Sequence, residues 1–128
     1  MANPQRFHPG TTVLMVGTKR GLFLVTSTDR QQWEVSPTAL GATAYGGGRV
    51  FFTALDQRGE TSRLWAADNG DFFGSFLRYS DDLGQTWQEP ERGIKFGEES
   101  GLKLTNIWTV VPGRASQPGV CLLYTSLS

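Results

Sequence analysis

Histidine and cysteine are almost missing from this chain: His8 and Cys121 are the only examples in 128 residues. A lone thiol forms neither an internal disulfide nor a cysteine zinc site, and a lone imidazole builds no histidine-based metal cluster. Charge of one sign is also lacking. The 12 lysines and arginines cancel the 12 aspartates and glutamates, with an isoelectric point near 6.6. The electrostatic footprint of a surface for DNA, RNA or anionic membrane is therefore missing. Apolar runs reach only about five residues, too few to span a bilayer as a helix. Met1 to Gly10 is polar, with Pro4, Arg6, His8 and Pro9. It lacks the apolar centre of a signal peptide, so a cytoplasmic location is expected. No long stretch carries the apolar spacing of an amphipathic helix.

Strand formers and turn residues are plentiful, the latter including 16 glycines and 6 prolines. Thr12 to Gly17 and Gly21 to Ser27 are β-branched and aromatic, joined through Thr18-Lys19-Arg20, and Trp33 to Ser36 follows a polar turn. A second set comprises Arg49 to Leu55, Arg63 to Ala67, Ser75 to Ser80 and Trp87 to Glu89, and a third opens with Leu104 to Val111. Short strands at regular spacing predict an all-β fold. Trp33 and Trp87 each follow a polar turn that follows an apolar strand, and the strand pairs upstream of them match. A period of roughly 50 residues with several strands per unit is a propeller-blade pattern, because one blade cannot bury both of its faces alone. The expected architecture is an incomplete β-propeller of two four-stranded antiparallel blades plus the start of a third. Its predicted parts are a tail over 1–11, blade one over 12–37, blade two over 49–89 and blade three from 103, with the propeller ending at 120.

The sharpest local feature is Ser80-Asp81-Asp82-Leu83-Gly84-Gln85-Thr86-Trp87, which follows S-x-D-x-G-x-T-W. Asp82 is suited to accept backbone N–H groups in a reversal, and Gly84 to adopt positive φ. Ser80 and Thr86 are suited to bond across the turn base, with Trp87 as an apolar plug. Ser27-Thr28-Asp29-Arg30-Gln31-Gln32-Trp33 is a degenerate copy, one residue shorter and without the glycine. These segments resemble the Asp-box, or bacterial neuraminidase repeat, of sialidase-like β-propellers. The opening Val16 to Leu24, with its Gly-Thr-Lys-x-Gly-Leu-Phe run, is similar to bacterial proteins described only as sialidase-like or repeat-containing. Sortilin-type receptors and photosystem assembly factors are non-enzymatic relatives of this kind.

The resemblance implies that the Asp-box is a structural turn on the side away from the ligand. A catalytic or calcium-binding role for Asp82 competes with that reading, but the turn itself occupies the carboxylate. Trp33, Trp65, Trp87 and Trp108 read as blade packing before they read as stacking platforms. True sialidases call for an arginine triad, a Tyr–Glu pair and an aspartate acid/base, with the first arginine in an Arg-Ile-Pro motif. No Arg-Ile-Pro occurs here, so no catalytic residue, cofactor or metal is expected. Ligand-facing candidates are Lys19 and Arg20 in one loop and Asp71, Phe72 and Phe73 in another, the latter combining a hydrogen-bonding group with apolar surface. Glu98 and Glu99 are adjacent and point apart if extended, so they read as a charged loop.

Two functions follow: a non-catalytic propeller binding a protein, peptide or glycan, or an exo-sialidase-type hydrolase whose catalytic residues lie mostly in blades beyond this chain. The missing arginine motif favours the first. Cys121 to Ser126 resembles the translation of a transposase end sequence used in sequencing libraries, so 121–128 is expected to be an artefactual tail. Open blade faces and zero net charge predict aggregation or weak self-association.

Overall fold

Two β-branched, apolar segments, Thr12–Thr18 (β1) and Gly21–Ser27 (β2), pair antiparallel through the Lys19–Arg20 turn in the computed structural model. The structure describes residues 6–36, 40–41, 49–70, 74–91 and 98–127. The other edge of β2 receives two short strands, Glu34–Val35 (β3) and Leu40–Gly41 (β4). A second sheet is the meander Val50–Asp56 (β5), Arg63–Gly70 (β6) and Gly74–Ser80 (β7). A third pairs Leu104–Pro112 (β8) with Cys121–Leu127 (β9). The fold is all-β, with one 3-10 turn at Glu98–Ser100. None of the sheets closes on itself among the described residues.

Strand limits differ from expectation at several places, among them β4, which lies beyond the predicted end of blade one at 37. Trp87 to Glu89 contributes only the bridge between Gln88 and Tyr79, whose two backbone bonds are each 2.8 Å. Pro90 follows it and has no N–H to extend the ladder. β6 runs on past Ala67 to Gly70 because Asp68 and Asn69, polar in sequence, find buried partners. The segment from Cys121, expected as a tail, lies along β8 from Pro112 back to Leu104.

The sheets stack in chain order, and β6 is the centre of the stack. Its run Leu64-Trp65-Ala66-Ala67 is apolar at every position because both of its faces are covered. Leu64 and Ala66 pack with Leu22, Leu24, Val50 and Trp87, joined by Val13, Met15 and Leu55. Trp65 and Ala67 pack on the opposite side with Ile107 and Val110. The first two sheets approach closely at Gly17, where an added Cβ would collide with the Val50 carbonyl oxygen. Only glycine fits there without moving β5.

The outward faces of the end sheets stay apolar. Leu14, Val16 and Val35 are exposed on the first, and Val111, Leu122 and Tyr124 on the third. Among the described residues no helix is long and apolar enough to cross a membrane.

Candidate functional site

The strand directions define two ends of the stack. At one end lie the β1–β2 turn and the last residues of β6. At the other lie the β5–β6 turn, the β8–β9 turn and the two Ser/Asp turns. Lys19 and Arg20 are exposed at the first end. The Thr18 hydroxyl tightens their turn, accepting from Arg20 N at 3.0 Å and donating to the Gly21 carbonyl at 2.9 Å. Asp71, Phe72 and Phe73, the other candidates for that end, lie outside the described residues.

At the opposite end, the turn after β7 is a closed hydrogen-bond unit. Ser80 Oγ donates to Asp82 Oδ1 at 2.7 Å and accepts from Gly84 N at 2.9 Å. Asp82 accepts from Thr86 N at 2.8 Å and from Thr86 Oγ1 at 2.5 Å. Leu83 and Gly84 both take positive φ, 59° and 92°. Trp87 donates from its indole to the Gly84 carbonyl at 3.1 Å and is 8% exposed, plugging the core beneath.

The turn after β2 has the same skeleton in a shorter loop. Ser27 Oγ donates to Asp29 Oδ1 at 3.1 Å and accepts from Arg30 N at 2.7 Å. Asp29 Oδ1 accepts from Gln31 N and Gln32 N at 2.8 and 2.9 Å. Arg30, with φ of 61°, is left-handed as Leu83 and Gly84 are in the longer turn. By its N–H bond to the serine and its place three residues before the tryptophan, Arg30 is the counterpart of Gly84, so the residue lost lies between the aspartate and that position. Trp33 nevertheless makes no indole hydrogen bond among the described residues and is 39% exposed, outside both core clusters.

Both carboxylates are held below their ordinary value of 3.8. For Asp29 the leading cause is the Gln32 N–H bond. For Asp82 the largest single effect is burial, which raises the pKa, but the bonds from Thr86 and Ser80 together outweigh it. A carboxylate whose folded pKa is depressed stabilises fully above its unfolded value, and that stability is lost as pH falls through the folded value. The chain is therefore expected to weaken below about pH 4. Asp82→Asn should lower stability at pH 7 by about 1 kcal/mol. The variant should also lose less than the wild type between pH 5 and pH 3. Urea titrations at the two pH values check both, and an unchanged acid response would refute the assignment.

Among the described residues, this end carries two clefts beside the turns. The larger, about 330 Å³, is lined by the β5–β6 turn and Asp81. Its arginines are already engaged: Arg58 grips Asp56 at 2.9 and 2.7 Å, and Arg63 grips Asp81 at 2.8 and 2.9 Å. The Arg58 guanidinium holds the Asp56 carboxyl below its ordinary value, and it also reaches the Gln117 and Val120 carbonyls at 3.0 and 2.8 Å. Arg63 lies 4.3 Å from the Tyr79 ring centroid. These pairings tie loops together and leave no uncompensated cation for an anion. The smaller cleft, about 280 Å³, lies against the shorter turn and contains Trp33.

The strongest polar features absent from the sequence-based candidates are buried. Arg78 donates to Asp68 at 2.9 Å and to Glu89 at 2.9 Å, and the Arg78 and Asp68 side chains are 6% and 5% exposed. Asn69 accepts from Ile107 N at 2.8 Å and donates to the Ile107 carbonyl at 3.0 Å. Neither has a local signature, because each partner is chosen by strand register or by sheet stacking. Among the described residues, no three histidines, cysteines or carboxylates gather where a metal ion would sit. No family model matches the chain, and no curated protein matches it.

Proposed function

We propose that the chain is a non-catalytic repeat protein of the Asp-box β-propeller kind, a module that binds a protein, peptide or glycan. The observation that carries this reading is the recurrence of one Ser/Asp hydrogen-bond skeleton after β2 and after β7, in two sheets stacked face to face. A repeated turn supports a repeated blade, since each sheet needs a neighbour on both sides to cover its apolar faces. Local donors engage Asp29 at Oδ1 and Asp82 at both oxygens, which supports a structural rather than a catalytic role for the two residues. The Lys19–Arg20 loop belongs in this reading to the ligand-facing end.

The test is turnover of a fluorogenic sialoside, together with a broad panel of fluorogenic glycosides. No hydrolysis above the buffer rate is expected. Release of fluorophore that scales with protein concentration would replace the binding-module reading with the hydrolase one.

A further inference from the structure

The two related turns treat their tryptophans differently, and the difference leaves a furnished cleft. Trp87 is locked into the core by the Gly84 carbonyl, whereas Trp33 stands at the rim of the 280 Å³ cleft with its indole N–H unused. Around it lie Thr11, Thr26, Thr28, Gln32 and Glu34. The Ser27 hydroxyl and Asp29 Oδ1 are occupied by the turn, whereas the side chains of the threonines, Gln32 and Glu34 make no hydrogen bond among the described residues.

We infer that this cleft is a binding subsite for a neutral oligosaccharide. An exposed indole offers a flat apolar face to the C–H side of a pyranose ring. The threonine hydroxyls, the Gln32 amide and the Glu34 carboxylate offer the mixed donors and acceptors that sugar hydroxyls need. The volume lies near the lower end for small-molecule pockets, of about 300 Å³, which suits a terminal sugar better than a large cofactor. The charge selects further: Asp29 and Glu34 line the cleft and no lysine or arginine does. An anionic sugar such as a sialic acid is disfavoured there by like-charge repulsion. The inference rests on the binding-module reading, and it gives that module a ligand class at the end opposite Lys19 and Arg20.

The experiment is a titration of the 15N-labelled chain with cellotriose, maltotriose, chitotriose, lactose and 3′-sialyllactose, following tryptophan indole N–H resonances. Trp33→Phe assigns the Trp33 signal. At least one neutral sugar is expected to shift that signal, and Trp33→Ala should weaken its binding by at least about tenfold. Lactose should bind more tightly than 3′-sialyllactose, and Glu34→Gln should narrow the gap. Trp33 is outside both core clusters, so its variants are expected to keep the wild-type spectrum elsewhere. Shifts confined to other residues, with Trp33→Ala binding as well as wild type, would overturn the subsite and leave the module reading intact. No shift with any neutral sugar would overturn the subsite as well. The module reading stands or falls separately, on the turnover assay.

Discussion

Arg78→Met is expected to destabilise the chain by about 3–5 kcal/mol, the usual consequence of stranding one charge of a buried pair. Arg78 lies directly opposite Ala66 in the β6–β7 ladder, and Asp68 follows two residues along β6. Directly paired residues share a face of the sheet, and that face packs against the first sheet through Leu64 and Ala66. The Asp68 carboxylate would therefore lose its guanidinium in a place that water does not reach. Its Oδ1 already makes no hydrogen bond, so the remaining Oδ2 contact is the one that keeps the charge tolerable. Glu89 is half exposed and would be resolvated, so the loss centres on Asp68.

The double variant Asp68→Leu with Arg78→Met distinguishes charge stranding from lost packing. Replacing both charges by apolar groups of similar size removes the desolvation cost together with the attraction. It is expected to recover most of the loss, to within about 1–2 kcal/mol of wild type. Urea denaturation followed by tryptophan fluorescence measures all the variants, including Asp68→Leu alone. Wild-type midpoints for Arg78→Met would show that the pair contributes nothing. A double variant no better than Arg78→Met would show that the loss is one of shape.

Asn69→Ala is the second large effect, expected to lower stability by about 2–4 kcal/mol. The Asn69 amide meets both backbone groups of Ile107 and so does the work of one rung of a ladder between β6 and β8. Ile107 is fully buried in the second core cluster, and water has no route to replace the lost bonds. Truncation thus leaves a donor and an acceptor unsatisfied. Asn69→Asp keeps an acceptor for Ile107 N–H but removes the donor to its carbonyl and buries a charge, so it should be no better than alanine. Hydrogen exchange at the Ile107 amide gives a local readout. Its protection should fall in Asn69→Ala even at temperatures where the chain stays folded, and unchanged protection would show that the bond is dispensable.

Much of the local structure was legible in consecutive residues. The β1–β2 hairpin follows from two β-branched runs around Lys19 and Arg20. The run Leu64 to Ala67, apolar at each position, already signals a strand covered on both faces. The two Ser/Asp turns were legible because every bond in them is local: Ser80 to Gly84 and Asp82 to Thr86 lie within one reversal. The missing glycine in the first turn was also visible. The different fates of the two tryptophans were not, because whether an indole is buried depends on what packs against it and not on its neighbours along the chain.

Composition and periodicity by themselves determined an all-β chain of short antiparallel strands, with turns stabilised by their own serines and aspartates. Those are properties of neighbours along the backbone, where the partner's distance is set by covalent geometry. The tertiary structure decided that Asp68 meets Arg78, that Asn69 bridges to Ile107, and that Trp87 is buried while Trp33 is not. Each of these depends on strand register and on which sheet lies against which face. A shift of one residue in register turns every side chain to the other side of its sheet. No local pattern carries that choice, because it is made by the summed packing of three sheets.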